Sequence, residues 1–221
     1  MNIENELFKR TKIDFKKLER YGFIKEHDIY KCSKEFMDHF RADITIDEKD
    51  NVSGKVIDIR IDDEYIQFKV KDQVGAFANK VREEYEKILK DIIDNCCEKQ
   101  NFITEQANKI ATLILNEYHD KPEFVWDKFP GYGLFRNPNN KKWYALIANV
   151  DKSKLDKKCF GEVEILNVKL DEEKIPDLLK QKGFYPAYHM NKKKWITILL
   201  DDTLKDKEIM QYIKESYDLI K

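Results

Sequence analysis

The stretch Asn139-Asn140-Lys141-Lys142-Trp143-Tyr144-Ala145-Leu146-Ile147 returns 52 residues later as Asn191-Lys192-Lys193-Lys194-Trp195-Ile196-Thr197-Ile198-Leu199. Each copy follows a strand end, Phe135-Arg136 in the first case and Tyr188-His189 in the second. Each turns through asparagine, which bonds its own turn and tolerates left-handed backbone. Each then runs into an apolar strand. The pair reads as two β-hairpins of one design with lysine-rich tips. Side chains alternate along a strand, so Tyr144, Leu146 and Ala148 share one face and Ile196, Ile198 and Leu200 share the matching one. Those faces are expected against helices, which sends Trp143 and Trp195 to an opposite, open face. That face has two readings. Either it binds a ligand through Trp143, Tyr188, His189 and Trp195, or the tryptophans cover the sheet while the lysines keep exposed edges from pairing.

Around the echo, apolar spacing predicts a helix from about Thr104 to Tyr118, buried through Ala107, Ile110, Ala111, Ile114 and Tyr118 and stopped by Pro122. Strands are expected at 132–136, 142–150, 161–170, 184–190 and 195–200. Pro176 suits the first turn of a short helix ending at Gly183. Thr203 with Asp206 fits a capping box for a last helix with Ile209, Ile213, Ser216 and Ile220 inside. The order α-β-β-β-α-β-β-α with tight turns means a mainly antiparallel sheet with helices on one face.

The first hundred residues read as a second small unit. An amphipathic segment from Phe8 to Tyr21 is stopped by Gly22, and strands are expected at Phe40–Ile46, Val52–Ile61 and Tyr65–Val70. Residues 74–96 carry a helical stripe of Phe77, Val81, Tyr85, Ile88, Ile92 and Cys96, with Glu83–Lys87 and Glu86–Lys90 as outer pairs. The fold class is therefore α+β, in two small α/β domains, 1–99 and 100–221.

Composition narrows the function. Of 221 residues, 41 are basic and 42 acidic, giving a net charge of −1. The first hundred hold 20 basic and 23 acidic side chains and the remainder 21 and 19, so any nucleic-acid site is a local patch on a near-neutral body. Aromatic residues at 12% exclude a disordered chain. No apolar run approaches the roughly 18 residues of a membrane span, and the acidic start Met1–Glu6 is unlike a secretory signal. Cys32, Cys96, Cys97 and Cys159 form no C-x-x-C pair and read as reduced thiols of a cytoplasmic protein. The histidines are His27, His39, His119 and His189, and no hydrolase, kinase, phosphate-loop or dinucleotide motif occurs. Gly131-Tyr132-Gly133 reads as a turn. His189 is the one candidate for acid–base work, with a hydrogen-bonded sheet histidine as the alternative. The chain is expected to be non-enzymatic, without cofactor or metal.

The run Asp127-Lys128-Phe129-Pro130-Gly131-Tyr132-Gly133-Leu134-Phe135-Arg136 leading into the first hairpin, and Tyr185-Pro186-Ala187-Tyr188-His189-Met190 leading into the second, resemble the MmcQ/YjbR family over about residues 102–220. Ser216-Tyr217 also fits. The resemblance implies a frataxin-like (CyaY-like) sandwich and a DNA-binding role for a double wing, the two hairpins, through Lys141, Lys142, Lys192, Lys193 and Lys194. Arg136, Asn139 and Asn191 would add hydrogen bonds to phosphate or base edges. Lys194 departs from the pattern, since many members carry a polar aromatic such as His there. A frataxin-like fold raises iron binding, which needs carboxylates gathered on one exposed edge; the first helix of this half has only Glu105 and Glu117 as acids, with Lys109 between them, and the densest cluster, Asp171-Glu172-Glu173, sits where a turn or helix start favours acids. The expected partner is double-stranded DNA, bound weakly, with a protein or small ligand on the open aromatic face as the alternative and no membrane partner.

Overall fold

The computed structural model describes residues 2–70 and 75–221. The chain divides into two compact units, Met1–Gln100 and Asn101–Lys221. Both are α+β with antiparallel sheets.

The N-terminal unit begins with α1 (Ile3–Phe8), β1 (Thr11–Ile13) and α2 (Phe15–Tyr21). The expected continuous segment from Phe8 to Tyr21 is thus interrupted, because Thr11–Ile13 pairs with a distant strand, β7 (Cys97–Lys99). Gly22 ends α2 in the left-handed region, φ +117°, as its position suggested. The main sheet has the order β2 (Ile24–Glu26), β3 (Ile29–Phe36), β4 (Phe40–Asp47), β5 (Val52–Asp58), β6 (Asp63–Glu64). Residues 24–36, where no strand was expected, hold β2, with all three residues exposed, and β3, which alternates exposed positions with the buried Tyr30 and Cys32. Ile66–Lys69 is a 3₁₀ turn rather than a strand. Arg82 holds that turn by donating to the Phe68 and Val70 carbonyls at 2.6 and 2.7 Å.

The long helix α3 spans Ala76–Cys96; Val74, the expected start, lies outside the described residues. Val81, Tyr85, Leu89, Ile92, Ile93 and Cys96 form its buried stripe. Phe77 is instead 48% exposed and packs its ring beside His39, Tyr65 and the buried Phe40. Lys87 pairs with Glu84, one residue from the expected Glu83.

The C-terminal unit starts with α4 (Glu105–Tyr118), capped by the Thr104 hydroxyl. Its sheet has the order β11 (Phe184–Pro186), β12 (Trp195–Leu199), β10 (Glu162–Lys169), β9 (Trp143–Asp151), β8 (Gly133–Arg136). A short α5 (Ile175–Leu178) and the final α6 (Asp206–Asp218) complete the unit. Alpha helices 4 and 6 share one core with Ala145, Ile147, Leu166, Val168, Ile196 and Ile198, so both cover one sheet face. The expected box at Thr203 and Asp206 does not form. Lys205 occupies the cap position, and the Asp206 carboxylate binds Gln106 and Lys109 instead. Gly183 lies beyond the end of α5 rather than capping it. It has φ +91°, and a Cβ there would sit 2.3 Å from Leu204 Cδ1.

Buried polar groups tie the layers. Ser216, fully buried on α6, donates to the Tyr144 carbonyl of β9 and accepts from the Lys169 amide of β10. Glu164 on β10 accepts from the Ile103 and Thr104 amides and the Thr104 hydroxyl, each at 2.8 Å, fixing the start of α4. Among the described residues, no helix is long and apolar enough to cross a membrane.

Candidate functional site

Strand direction brings the two tips together. β9 and β12 are both antiparallel to β10, so they run parallel and begin at the same end of the sheet. Neighbouring strands lie about 4.8 Å apart. The starts of β9 and β12, one strand between them, are then roughly 10 Å apart. Both hairpin loops, 137–142 and 187–194, therefore project from one end.

Each tip is shaped by an asparagine. Asn137, almost fully buried, accepts from the Asn139 amide at 2.9 Å, and its amide donates to the Lys142 carbonyl. Asn140 accepts from the Lys142 amide and donates to the Ile220 carbonyl, anchoring the tip to the chain's end. In the second tip Asn191 accepts from the Lys193 amide at 3.0 Å. Asn137, Asn140 and Asn191 thus each accept from the amide two residues on, closing the turns. Lys141 and His189 each take left-handed backbone, φ +60° and +55°. Lys141, Lys142 and Lys192–Lys194 are all exposed. Among the described residues none of the five has a carboxylate within 4.0 Å, and Asn139 and Asn191 are exposed beside them.

Arg136 is differently placed. One terminal nitrogen of its guanidinium is paired with Glu123, which a phosphate would have to share. The expected strand 184–190 stops at Pro186. Tyr188 and His189 belong to the loop, and the Tyr188 amide donates to Thr197 Oγ1 at 2.9 Å while its carbonyl accepts from Asn167. His189 is an exposed loop residue in edge contact with the Tyr188 ring, 4.1 Å between centroids, and no longer a strand histidine.

Trp143 and Trp195 do share the face away from the helices, although β9 reaches this by a different route. The β8–β9 register shifts at Phe135/Arg136, where Arg136 faces Trp143 and Phe135 faces Ala145. This bulge sends Tyr144 and Ala145 to the same side, so Leu146 and Ala148, expected against the helices, face away from them. The bulge buries Tyr144 against Tyr118 and Tyr217, centroids 5.9 and 5.0 Å away, with its hydroxyl on Asp120 at 2.8 Å. Burial drives the Tyr144 hydroxyl's pKa far up, and the Asp120 bond adds to it. Burial also raises the Asp120 carboxyl, against the Tyr144 bond.

The helix-free face is not open. Ala148, Val150, Val163 and Ile165 form a second core on it, roofed by Tyr132, Leu155, Tyr188 and Leu199. What remains exposed lies on the roof. Trp143, 36% exposed, meets Trp126 edge-on at 5.7 Å; Trp126 meets Tyr132, and Tyr132 stacks on Phe129 at 4.9 Å. Burial raises the Tyr132 hydroxyl's pKa, with Tyr188 adjoining it. Beyond Tyr188 a cavity of about 410 Å³ is lined by Lys154, Leu155, Tyr188, His189, Met190 and Lys192. The residues missed by sequence reasoning are Trp126, Phe129, Tyr132 and Lys154. The signal for the three aromatics is the density of rings in 124–132, of which the family resemblance covers only 127 onward; Lys154 carries no such signal. Among the described residues, no group of three His, Cys, Asp or Glu side chains is arranged to hold a metal.

Residues 115–219 match the family model YjbR. The uncharacterized protein YyaQ of Bacillus subtilis (strain 168) is 39% identical over 108 residues, 49% of this chain and 92% of YyaQ. A crystal structure of a Pseudomonas syringae protein, 37% identical, superposes with a TM-score of 0.51 over 53% of this chain and 99% of that one. A solution NMR structure from the same organism is also 37% identical, with a TM-score of 0.48, covering 52% and 92% of the two chains.

Proposed function

The chain belongs to the YjbR family, and from that premise we propose that its C-terminal unit is a non-enzymatic DNA-binding module that holds the phosphate backbone through two lysine-tipped hairpins. The observation that carries this reading is the convergence of Lys141, Lys142, Lys192, Lys193 and Lys194 at one sheet end, exposed and with no carboxylate partner among the described residues. An ammonium already paired with a carboxylate gains less from a phosphate; these five have that interaction to give. The asparagine turns hold the backbone of each tip, which reduces what binding must order. Without these five lysines the rest of the unit holds 16 basic and 19 acidic side chains, a net charge of −3, so the contact is weak and local. The family's double wing enters here as support by likeness.

Engaging ~4 phosphates of a duplex gives a log–log salt slope of about −3.6, and non-specific dissociation constants of ~10⁻⁴ to 10⁻⁶ M at physiological salt. Fluorescence anisotropy of labelled DNA, offered as duplex and as single strand across a salt series, measures both. Changing all five lysines to glutamate is expected to abolish binding and leave the circular dichroism spectrum unchanged. No binding of either DNA form at low salt, or equal binding by the variant, overturns the reading.

A further inference from the structure

We propose that the strand held by this unit is single-stranded DNA, laid along the helix-free side from the first hairpin tip to the basic cavity at the second. The inference rests on the lysine-tip reading and names the form of DNA it selects. Three observations carry it.

The first is what stands between the tips. β10 ends at Lys169, between β9 and β12 in sheet order, and the chain leaves that same end through the exposed Asp171-Glu172-Glu173. A duplex is rigid and carries one charge per ~1.7 Å of axis. Lying across both tips, it would bring those charges over three carboxylates. A flexible single strand avoids them by passing along the side face.

The second is the row of rings. Trp143, Trp126, Tyr132 and Phe129 are in unbroken contact and start at the residue next to Lys142. Trp143 and Phe129 keep 36% and 50% of their surface exposed, and Lys128 stands exposed beside Phe129, with one exposed carboxylate, Asp127, before it. Rings offered to solvent beside lysines suit unpaired bases, which stack on aromatic side chains whatever their sequence, while a duplex keeps its base faces inside.

The third is what adjoins the row at Tyr132. Tyr132 and Tyr188 roof the same small core, and Tyr188 borders the cavity of about 410 Å³. Lys154, Lys192 and His189 line that cavity and no acidic side chain does. It offers cationic donors to backbone phosphates next to the ring row. Lysine tips, aromatic row and basic cavity thus form one continuous track across the unit.

The test uses the full chain with a labelled mixed-sequence 15-mer, as a single strand and annealed to its complement. The single strand is expected to bind tighter than the duplex and to quench tryptophan fluorescence. Trp143→Ala and Phe129→Ala are each expected to weaken single-strand binding about five- to a hundredfold, the range of one lost stack, and to leave duplex binding unchanged. Lys154→Glu should make the single-strand salt slope shallower by about 0.7, one phosphate. All three residues are on the surface, and circular dichroism confirms that the variants are folded. If the duplex binds as tightly as the single strand, or the two aromatic variants bind the single strand as wild type does, the single-strand inference is overturned and the lysine-tip reading stands. If neither form binds at low salt, both fall.

Discussion

At the scale of single residues, the tips are largely legible from sequence, and their partners are not. Asparagine followed by lysines states its own turn chemistry, because the bonds it makes are local. Arg136 looked equally available. Its Glu123 partner lies thirteen residues away on a segment bridged to β8, and no spacing rule connects the two. Ser216 is the reverse case, a polar residue in an apolar helical stripe whose purpose appears only when β9 and β10 meet it. Ser216→Ala strands the Lys169 amide and removes the donor to Tyr144. A loss of about 1–3 kcal/mol is expected from leaving a buried group unsatisfied, and urea unfolding followed by circular dichroism checks it.

At the scale of elements, long periodic segments were readable and short or paired ones were not. α3, α4 and α6 each carry an apolar stripe that only a helix can bury, so their existence follows from the spacing alone. β2 leaves no pattern because all three of its residues are exposed at the sheet edge, whereas β3 alternates exposed with buried or half-buried positions and carries a legible period-2 pattern. The β9 bulge escaped parity counting because alternation holds only while the ladder is regular, and one extra residue reverses it. Gly183 shows what the approach of one element to another demands. Its place after a short helix suits a cap, yet it stands where the chain enters β11, close against Leu204 and Thr203 with a positive φ. Gly183→Ala combines backbone strain with a clash at Leu204 Cδ1. We expect it to destabilise the protein by ~1–3 kcal/mol, measured as a lower urea midpoint with an unchanged slope. A neutral result would mean that Leu204 moves aside at no cost.

At the scale of the whole molecule, the two compact units meet at Gln100/Asn101, and each has a hydrophobic core of its own. Residues 100–221 expressed alone are therefore expected to unfold cooperatively in urea and to keep the DNA affinity of the full chain. An insoluble or non-cooperative fragment would show that the units fold only together. By itself, the sequence determined the α+β class, the main helices, the paired hairpins and the family, because periodicity, turn residues and a near-repeat are properties of contiguous chain. Tertiary structure alone decided that the helix-free face is roofed, that Arg136 pairs with Glu123, and that Trp126, Tyr132 and Phe129 join Trp143 in one row of rings. Those outcomes depend on which loop folds over which strand. That choice is made by burying Ala148, Val150, Val163 and Ile165 beneath Tyr132, Leu155 and Tyr188, residues up to 56 positions apart whose mutual packing leaves no periodic mark on the chain.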